Sequence, residues 1–418
     1  MKVEKNQLCP CGSGKKYKNC CFKKTTSGYA LDLKGKKAER FVYELSQKSF
    51  FTDWCYKSPK LPNNKEICDL LVVYDDVAII WQIKDLKLDE KGKYSEKEVS
   101  RNLQQLCTAK HRLFKLNITI ELENPRRGRE KFNPKQVKDI FLISALLGKG
   151  EDYFSLIEMR KGSIIHTFTR QFTEIALSEL DTIKDFILYL REKERLISMN
   201  SELMLLGGEE ELLAYYLRNE RKFEKLGKMD LSVIDEGLWE ELQKHHQYIA
   251  KKKEDEISYG WDSIIDFAHT AGGEYEKVAR EMARLNRFER RVMSKAFYSA
   301  HLMAHNETVK NSFRRVIFRE GTTYCFLFYD DPEPRNKRRA ILGAICFVAR
   351  GLFPKNSKVL GIATEMKIRP RCSYDFCLLE IPKWTITQQK EMKRLQSEYG
   401  LFKNYKTRHA HEDEYPEV

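Results

Sequence analysis

Apolar and polar positions along this chain follow two periods, one of about 3.6 residues and one of 2, and together they predict alternating helices and strands. The clearest stretch is Ile67 to Lys84. Two apolar runs rich in β-branched and aromatic residues flank Asp75-Asp76, the pattern of two antiparallel strands joined by a tight turn. A two-residue loop at Asp75-Asp76 makes Tyr74 face Val77. Counting back along both strands then sets Asp69 opposite Gln82, with Lys84 on the same face as Gln82. Both faces of the ribbon are otherwise mostly apolar, so other elements should cover both. Polar groups at the end of such a ribbon are costly to desolvate unless they bind something, which marks Asp69, Gln82 and Lys84 as candidate site residues.

The same periodicity places a helix over Lys36–Lys48, with Ala38, Phe41, Val42 and Leu45 on one face, and a second over Ser95–Leu116, anchored by Leu103, Leu106, Leu113 and Leu116. Thr25–Lys34 reads as a short linker and Phe50–Asn64 as a loop. Strands are expected at Asn117–Glu123, Asp139–Leu147, Tyr153–Glu158 and Ser163–Phe168, followed by an amphipathic helix over Asp181–Ile197. Residues 200–275 read as helical and heavily charged, and His245-His246 within them as surface. Beyond them come a long helix, Glu276–His305, and strands at Ser312–Phe318 and Thr323–Tyr329. A helix at Arg338–Phe353, strands at Lys358–Met366 and Tyr374–Ile381, and a last helix from Thr385 through Tyr399 complete this half. His301 and His305 stand one helical turn apart, but His-Leu-Met-Ala-His lacks the glutamate of a zinc-protease helix, so two surface histidines are expected. Arg408–Val418 reads as a flexible end.

At 418 residues, with hydrophobic residues at 42% and aromatics at 11%, the chain has enough apolar material for two or three domains with cores of their own. The formal net charge of +14 points to an anionic partner, most simply nucleic acid. The longest apolar stretch, Ala340–Ala349, is too short to span a membrane, and a polar, cysteine-rich N-terminus argues against a signal peptide. Eleven cysteines, four clustered and seven scattered through apparent core segments, fit a reducing cytoplasm.

The order of these elements carries a resemblance. Asp69-x(12)-Gln82-Ile83-Lys84 resembles the PD-(D/E)xK nuclease superfamily, in the Mrr-like branch where Gln replaces the usual acidic residue. It covers roughly residues 34 to 120, with a glutamate-bearing helix, the Asp strand, the QxK strand and a helix in the superfamily's order. Ala38-Glu39-Arg40-Phe41-Val42 looks like the superfamily's glutamate position, with Glu44 as competitor. The resemblance implies an α/β core of the restriction-endonuclease-like type that hydrolyses phosphodiester bonds with a hard divalent cation, Mg²⁺ or Mn²⁺. Asp69 and Gln82 would supply metal ligands, Glu39 a further carboxylate, and Ile83 its carbonyl. Lys84 would orient water or stabilise charge on the phosphate. Arg101, Gln104 and Gln105 on the second helix could face a phosphate backbone. Arg126, Arg127 and Arg129, in the turn Asn124–Arg129, suit phosphates equally well as they suit a solvated loop. The bland alternative for the whole stretch is a buried hairpin, with Asp69 at a strand end and Lys84 snorkelling to water.

The first twenty-four residues hold a different motif. Cys9 and Cys11 form a Cys-x-Cys pair, and Cys20-Cys21 follow after a Gly-Ser-Gly turn. Four thiolates can surround Zn²⁺ tetrahedrally and leave no open coordination position, so the expected zinc is structural. Adjacent cysteines pair poorly, which disfavours disulfides. The stretch resembles the SEC-C motif, which implies an appended knuckle that docks a protein partner or an anionic lipid. Seven lysines against one glutamate in residues 1–24 add the possibility of acidic surfaces or DNA phosphates.

The expected architecture is therefore an α/β nuclease-like core with an N-terminal zinc knuckle and a C-terminal α+β domain. Its divisions are 1–24, 34–200, a helical connector over 201–275, and 276–418 of unassigned role. The expected function is metal-dependent cleavage of DNA, in bacterial restriction or phage defence, with the knuckle for recruitment. The second reading is a non-catalytic docking protein with an inert nuclease fold, and an RNase toxin is a third.

Overall fold

The computed structural model describes residues 21–86, 93–116, 118–148, 156–199, 202–228, 231–306, 312–319, 321–329, 335–403, 405 and 411–417, with the backbone alone over 21–34 and at 202, 312 and 313. The chain forms two compact units, Met1–Asp181 with Phe186–Trp239, and Thr182–Asp185 with Glu240–Val418.

The first unit opens with α1 (Cys21–Phe50), which takes in the stretch expected as a linker, 25–34. Gly28 and Gly35 each cost a helix about 1 kcal/mol, but without a proline between Pro10 and Pro59 nothing forces a break. A single 3₁₀ turn, Thr52–Trp54, leads into β1 (Cys55–Lys57), within the segment expected as loop. The hairpin follows as β2 (Leu70–Tyr74) and β3 (Val77–Lys84), then α2 (Glu96–Phe114). A small hairpin, β4 (Glu121–Asn124) and β5 (Gly128–Lys131), precedes β6 (Asp139–Leu146), β7 (Ile157–Arg160) and β8 (Ser163–Thr169). These build a six-stranded sheet in the order β1-β2-β3-β6-β8-β7, with β3, β6 and β8 parallel and the other pairs antiparallel.

Both faces of this sheet are covered. On one, Leu71, Ile80, Leu142 and Ile165 pack with Leu103, Leu106, Ala109 and Leu113 of α2, all 6% exposed or less. On the other, Trp81 lies 5.9 Å from Phe168 and 5.8 Å from Phe186, ring centre to ring centre, and Phe50 at the end of α1 lies 5.0 Å from Phe186. Two helices, α3 (Arg170–Glu179) and α4 (Ile183–Ser198), follow β8. Thr169 caps α3 by accepting from the Phe172 N–H at 3.1 Å, a start that the sequence reading missed. The segment expected to be wholly helical also contains a parallel pair, β9 (Glu202–Leu205) and β10 (Leu231–Ile234), around α5 (Glu209–Arg218). Alternating burial in β10 reflects a period of 2 that the surrounding charges hide.

After α6 (Leu238–Lys244), the second unit runs through α7 (His246–Asp255), α8 (Tyr259–Thr270), α9 (Glu276–Ala283) and α10 (Arg287–Asn306). The expected single helix 276–305 is two, and Arg290 ties the break. It is fully buried, bonded to the Leu285 and Ala283 carbonyls at 3.0 Å each and paired with Asp262 at 2.8 Å. Then come β11 (Ser312–Arg319), β12 (Thr322–Tyr329), α11 (Arg335–Leu352), β13 (Lys358–Glu365), β14 (Asp375–Glu380) and α12 (Ile386–Tyr399). The sheet order is β11-β12-β13-β14, with β12 and β13 parallel across α11. Cys325, Leu327, Val359 and Ala363 meet α11 and α12 on one face. Phe326 and Phe328 meet Phe297 of α10 on the other, at 5.1 and 5.3 Å. Thr385 and Gln388 close a capping box at the start of α12.

Two expectations in this unit are corrected. His301 is buried rather than on the surface, stacked on Phe328 at 4.9 Å with Nε2 against the Glu365 carbonyl at 2.9 Å. His305 Nδ1 instead accepts from the Ile368 N–H at 3.2 Å, so the two rings serve separate backbone groups. The end of the chain is not loose over 411–417. Arg291, fully buried, pairs with Glu412 at 2.9 Å and donates to the Asp413 and Glu414 carbonyls, and Lys295 reaches Glu412 at 2.7 Å.

Candidate functional site

The hairpin positions the site. Tyr74 pairs with Val77 and Leu70 with Trp81, the register that alternation predicts. The Asp69 N–H donates to the Trp81 carbonyl at 3.2 Å, so Asp69 stands beside Gln82 one step past the last pair. Asp75 turns the chain at φ +49°, a left-handed conformation that aspartate tolerates better than most residues.

Asp69 is 6% exposed and Gln82 5%. One carboxylate oxygen, Asp69 Oδ2, accepts from Gln82 Nε2 and from the Ile83 N–H, each at 2.6 Å. Burial pushes the Asp69 carboxyl up to about 7. The Ile83 N–H and the Lys84 charge pull it down, and Glu39 and Glu66 add to the rise. Burial wins because two donors and one partly exposed lysine do not replace the lost water. Glu39, half-buried on α1, therefore acts on Asp69, whereas its competitor Glu44 is exposed and paired with Arg40 at 2.6 Å.

The parallel strands extend the site in a way the sequence reading missed. Gln82 pairs with Ser144 on β6, and Ser144 with Thr167 on β8. A polar row, Asp69–Gln82–Ser144–Thr167, thus runs across four strands beneath α2, one step beyond the apolar row Leu71–Ile80–Leu142–Ile165. From α2, fully buried Asn102 donates through Nδ2 to Ser144 Oγ at 2.8 Å and reaches the Gln82 carbonyl at 3.5 Å. Asn102 Oδ1 and Thr167 Oγ1 are buried without a hydrogen-bond partner among the described residues. Each such orphan costs about 1–3 kcal/mol, so this row is where the core carries polar groups at a loss. Periodicity held the clue. Asn102 sits on the apolar stripe of α2 between Val99 and Leu106, and Ser144 and Thr167 interrupt apolar strands.

The basic candidates divide. Arg101 and Arg129 are exposed, and Gln104 bonds Thr108 Oγ1 at 3.3 Å. Arg126 pairs with buried Asp53 at 3.2 Å. Arg127 bonds Glu130 at 2.6 Å and the Tyr56 hydroxyl at 2.7 Å, so both fasten the β4–β5 turn to the strand-β1 region. Cys9, Cys11 and Cys20 lie outside the described residues, as does the side chain of Cys21.

Fold and site together define a mixed α/β protein with several sheets and no closed barrel among the described residues, carrying one buried polar row at a strand end. The SEC-C motif family, a zinc-binding motif, matches residues 6–23. No curated protein and no solved structure matches the chain. No helix of the described residues is long and apolar enough to cross a membrane.

Proposed function

We propose that this chain is a metal-dependent nuclease that hydrolyses phosphodiester bonds in DNA, with the N-terminal cysteines holding a structural zinc in a recruitment knuckle. The observation that carries the reading is the Asp69–Gln82 clamp at a strand end, with Lys84 next on the same face and Glu39 acting from α1. A hard divalent cation suits this donor set. The Gln82 nitrogen is spent on Asp69, which leaves the amide oxygen for a ligand role beside the Asp69 carboxylate, and Glu39 adds a second anion. Such a cation, once bound, polarises the phosphoryl oxygen and favours ionisation of water. The chain's own residues do the rest. Ile83 N–H and Gln82 Nε2 fix the orientation of Asp69, and Asn102 braces β3 against β6. The Lys84 ammonium offers charge to the phosphate and a donor to the attacking water. Four thiolates at Cys9, Cys11, Cys20 and Cys21 match a closed zinc site.

One observation favours a docking role with an inert core instead. At pH 7 Asp69 is only partly ionised, and Gln82 adds no second charge to hold a cation. Cleavage of supercoiled plasmid by the full chain in Mg²⁺ or Mn²⁺ decides between the two, run beside EDTA, Asp69→Ala and Lys84→Ala. Nicking that both variants abolish supports the nuclease. Intact cleavage by either variant sinks the site assignment.

A further inference from the structure

We propose that the sheet module of residues 312–408 is a nucleic-acid grip that binds the phosphodiester backbone at the end where α11 begins and β13 finishes. This goes beyond cleavage at Asp69 and does not depend on it. The chain's charge is not spread evenly. Residues 312–408 hold 20 Lys and Arg against 9 Asp and Glu, a net +11, and residues 1–24 hold a net +6. The whole chain is +14, which leaves everything else at net −3. A solvated surface balances the two signs, whereas a twofold excess of cations in one module is the electrostatic footprint of a polyanion partner.

The fold gathers part of this charge at one place. β12, α11 and β13 form a parallel strand–helix–strand unit, and in open α/β sheets the carboxyl ends of the strands, where the helix starts, are where ligands dock. Here α11 opens with Arg335, Lys337, Arg338 and Arg339 and with no acid in its first turn. That placement sets cations against the positive end of the helix dipole, an arrangement that folding alone does not favour. A single buried carboxylate, Asp375 at the start of β14, holds three of them through their Nε atoms, Arg335 and Arg339 at 2.8 Å and Arg338 at 2.7 Å. The arginines in turn hold that carboxyl below the usual range against the pull of its burial. Glu365 at the end of β13 pairs with Arg338 as well, at 3.3 Å, so two carboxylates face three guanidiniums. Arg335 and Arg339, which share Asp375 Oδ1, remain about half exposed, at 51% and 52%. The segment that leaves β13 adds Lys367, Arg369 and Arg371, all exposed. Guanidiniums held in place by a buried carboxylate are preorganised for phosphate oxygens, which they meet in a two-pronged geometry.

The test uses the full chain with its zinc retained and no Mg²⁺ or Mn²⁺ added, so no cleavage step enters. It measures fluorescence anisotropy of a labelled DNA duplex and of an RNA duplex of the same sequence between about 50 and 250 mM NaCl. Arg369→Ala/Arg371→Ala removes two exposed cations without touching the core. Lys60→Ala/Lys65→Ala, in the first unit, is the control. For duplex DNA the expected result is a salt slope shallower by about 1.8, roughly 0.9 per lost phosphate contact, with weaker binding at every salt concentration and a control like wild type. Loss with DNA alone, RNA alone or both names the source of the phosphates and supports the grip. An unchanged slope for both probes overturns it. Plasmid left uncut by a wild-type chain that still binds would sink the nuclease and leave this inference standing.

Discussion

Replacing Asp69 by Asn isolates the electrostatic cost built into the site. Asparagine keeps an acceptor oxygen for Gln82 Nε2 and the Ile83 N–H, which meet Asp69 Oδ2 at 2.6 Å, but it carries no charge. The Asp69 carboxyl sits near 3.8 in a free chain and at about 7 in the fold. A carboxyl raised in this way binds its proton more tightly when folded, so native stability falls as pH climbs from about 4 and levels off only above about 7. Between pH 5 and pH 8 the chain crosses two pH units of that window, worth about 3 kcal/mol at 1.36 kcal/mol per unit. Urea unfolding followed by tryptophan fluorescence at both pH values measures it, because Trp81 lies on the same strand as Gln82. Wild type should lose about 3 kcal/mol more than Asp69→Asn over this range, and titration elsewhere cancels in the comparison. Equal pH dependence in the two proteins, or a larger loss in the variant, refutes the claim that burial dominates Asp69.

Two other substitutions test the packing around the sites. Asn102→Ala leaves Ser144 Oγ without its 2.8 Å donor and should lower stability by about 1–3 kcal/mol in the same unfolding assay. If the proposed nuclease reading is right and Asn102 braces β3, plasmid nicking falls further than the lost folded fraction explains, and nicking that tracks the folded fraction alone leaves Asn102 a packing role only. Gly361→Ala tests the second unit, because its new Cβ would lie 2.4 Å from Cys346 Sγ and 2.8 Å from Leu342 Cδ1. Overpacking of that kind costs about 1–3 kcal/mol, read as a lower melting temperature, and a neutral result would mean that α11 shifts freely over β13.

What the sequence made legible follows from how local each determinant is. The hairpin and its register came through because Tyr74, Val77 and the alternation behind them lie within eighteen residues, and a one-residue slip would have turned every side chain over. The α12 start was equally readable, since Thr385 and Gln388 settle it between them. The polar row was not, because Asp69, Asn102, Ser144 and Thr167 come from four elements. Nothing in a single strand reveals that a parallel neighbour presents a polar group at the same level. Burial of His301 was hidden for the same reason, as its partners Phe328 and Glu365 come from strands far along the chain. The strands β9 and β10 were lost beneath charge. Their pairing joins segments separated by a helix, and the acidic run 209–211 reads as solvated helix whatever flanks it. The ordered end of the chain depends on Arg291, more than a hundred residues upstream of Glu412.

Glutamine at position 82 makes electrostatic sense once the neighbours are counted. Burial has already raised Asp69 to about 7, and Glu39 and Glu66 push in the same direction. A second carboxylate in place of Gln82, 2.6 Å from Asp69, would force the pair to share a proton, as two like charges at that distance cannot both ionise in a buried site. The amide avoids this by donating its nitrogen to Asp69, which favours the ionised form, while its oxygen stays available. The consequence is a site with less charge to attract a cation but with its first anion oriented before any ligand arrives. Such a site trades affinity for preorganisation. If the proposed cation site is right, its occupancy should depend on pH through Asp69 together with Glu39, which ties metal dependence to the same carboxyl whose burial shapes stability.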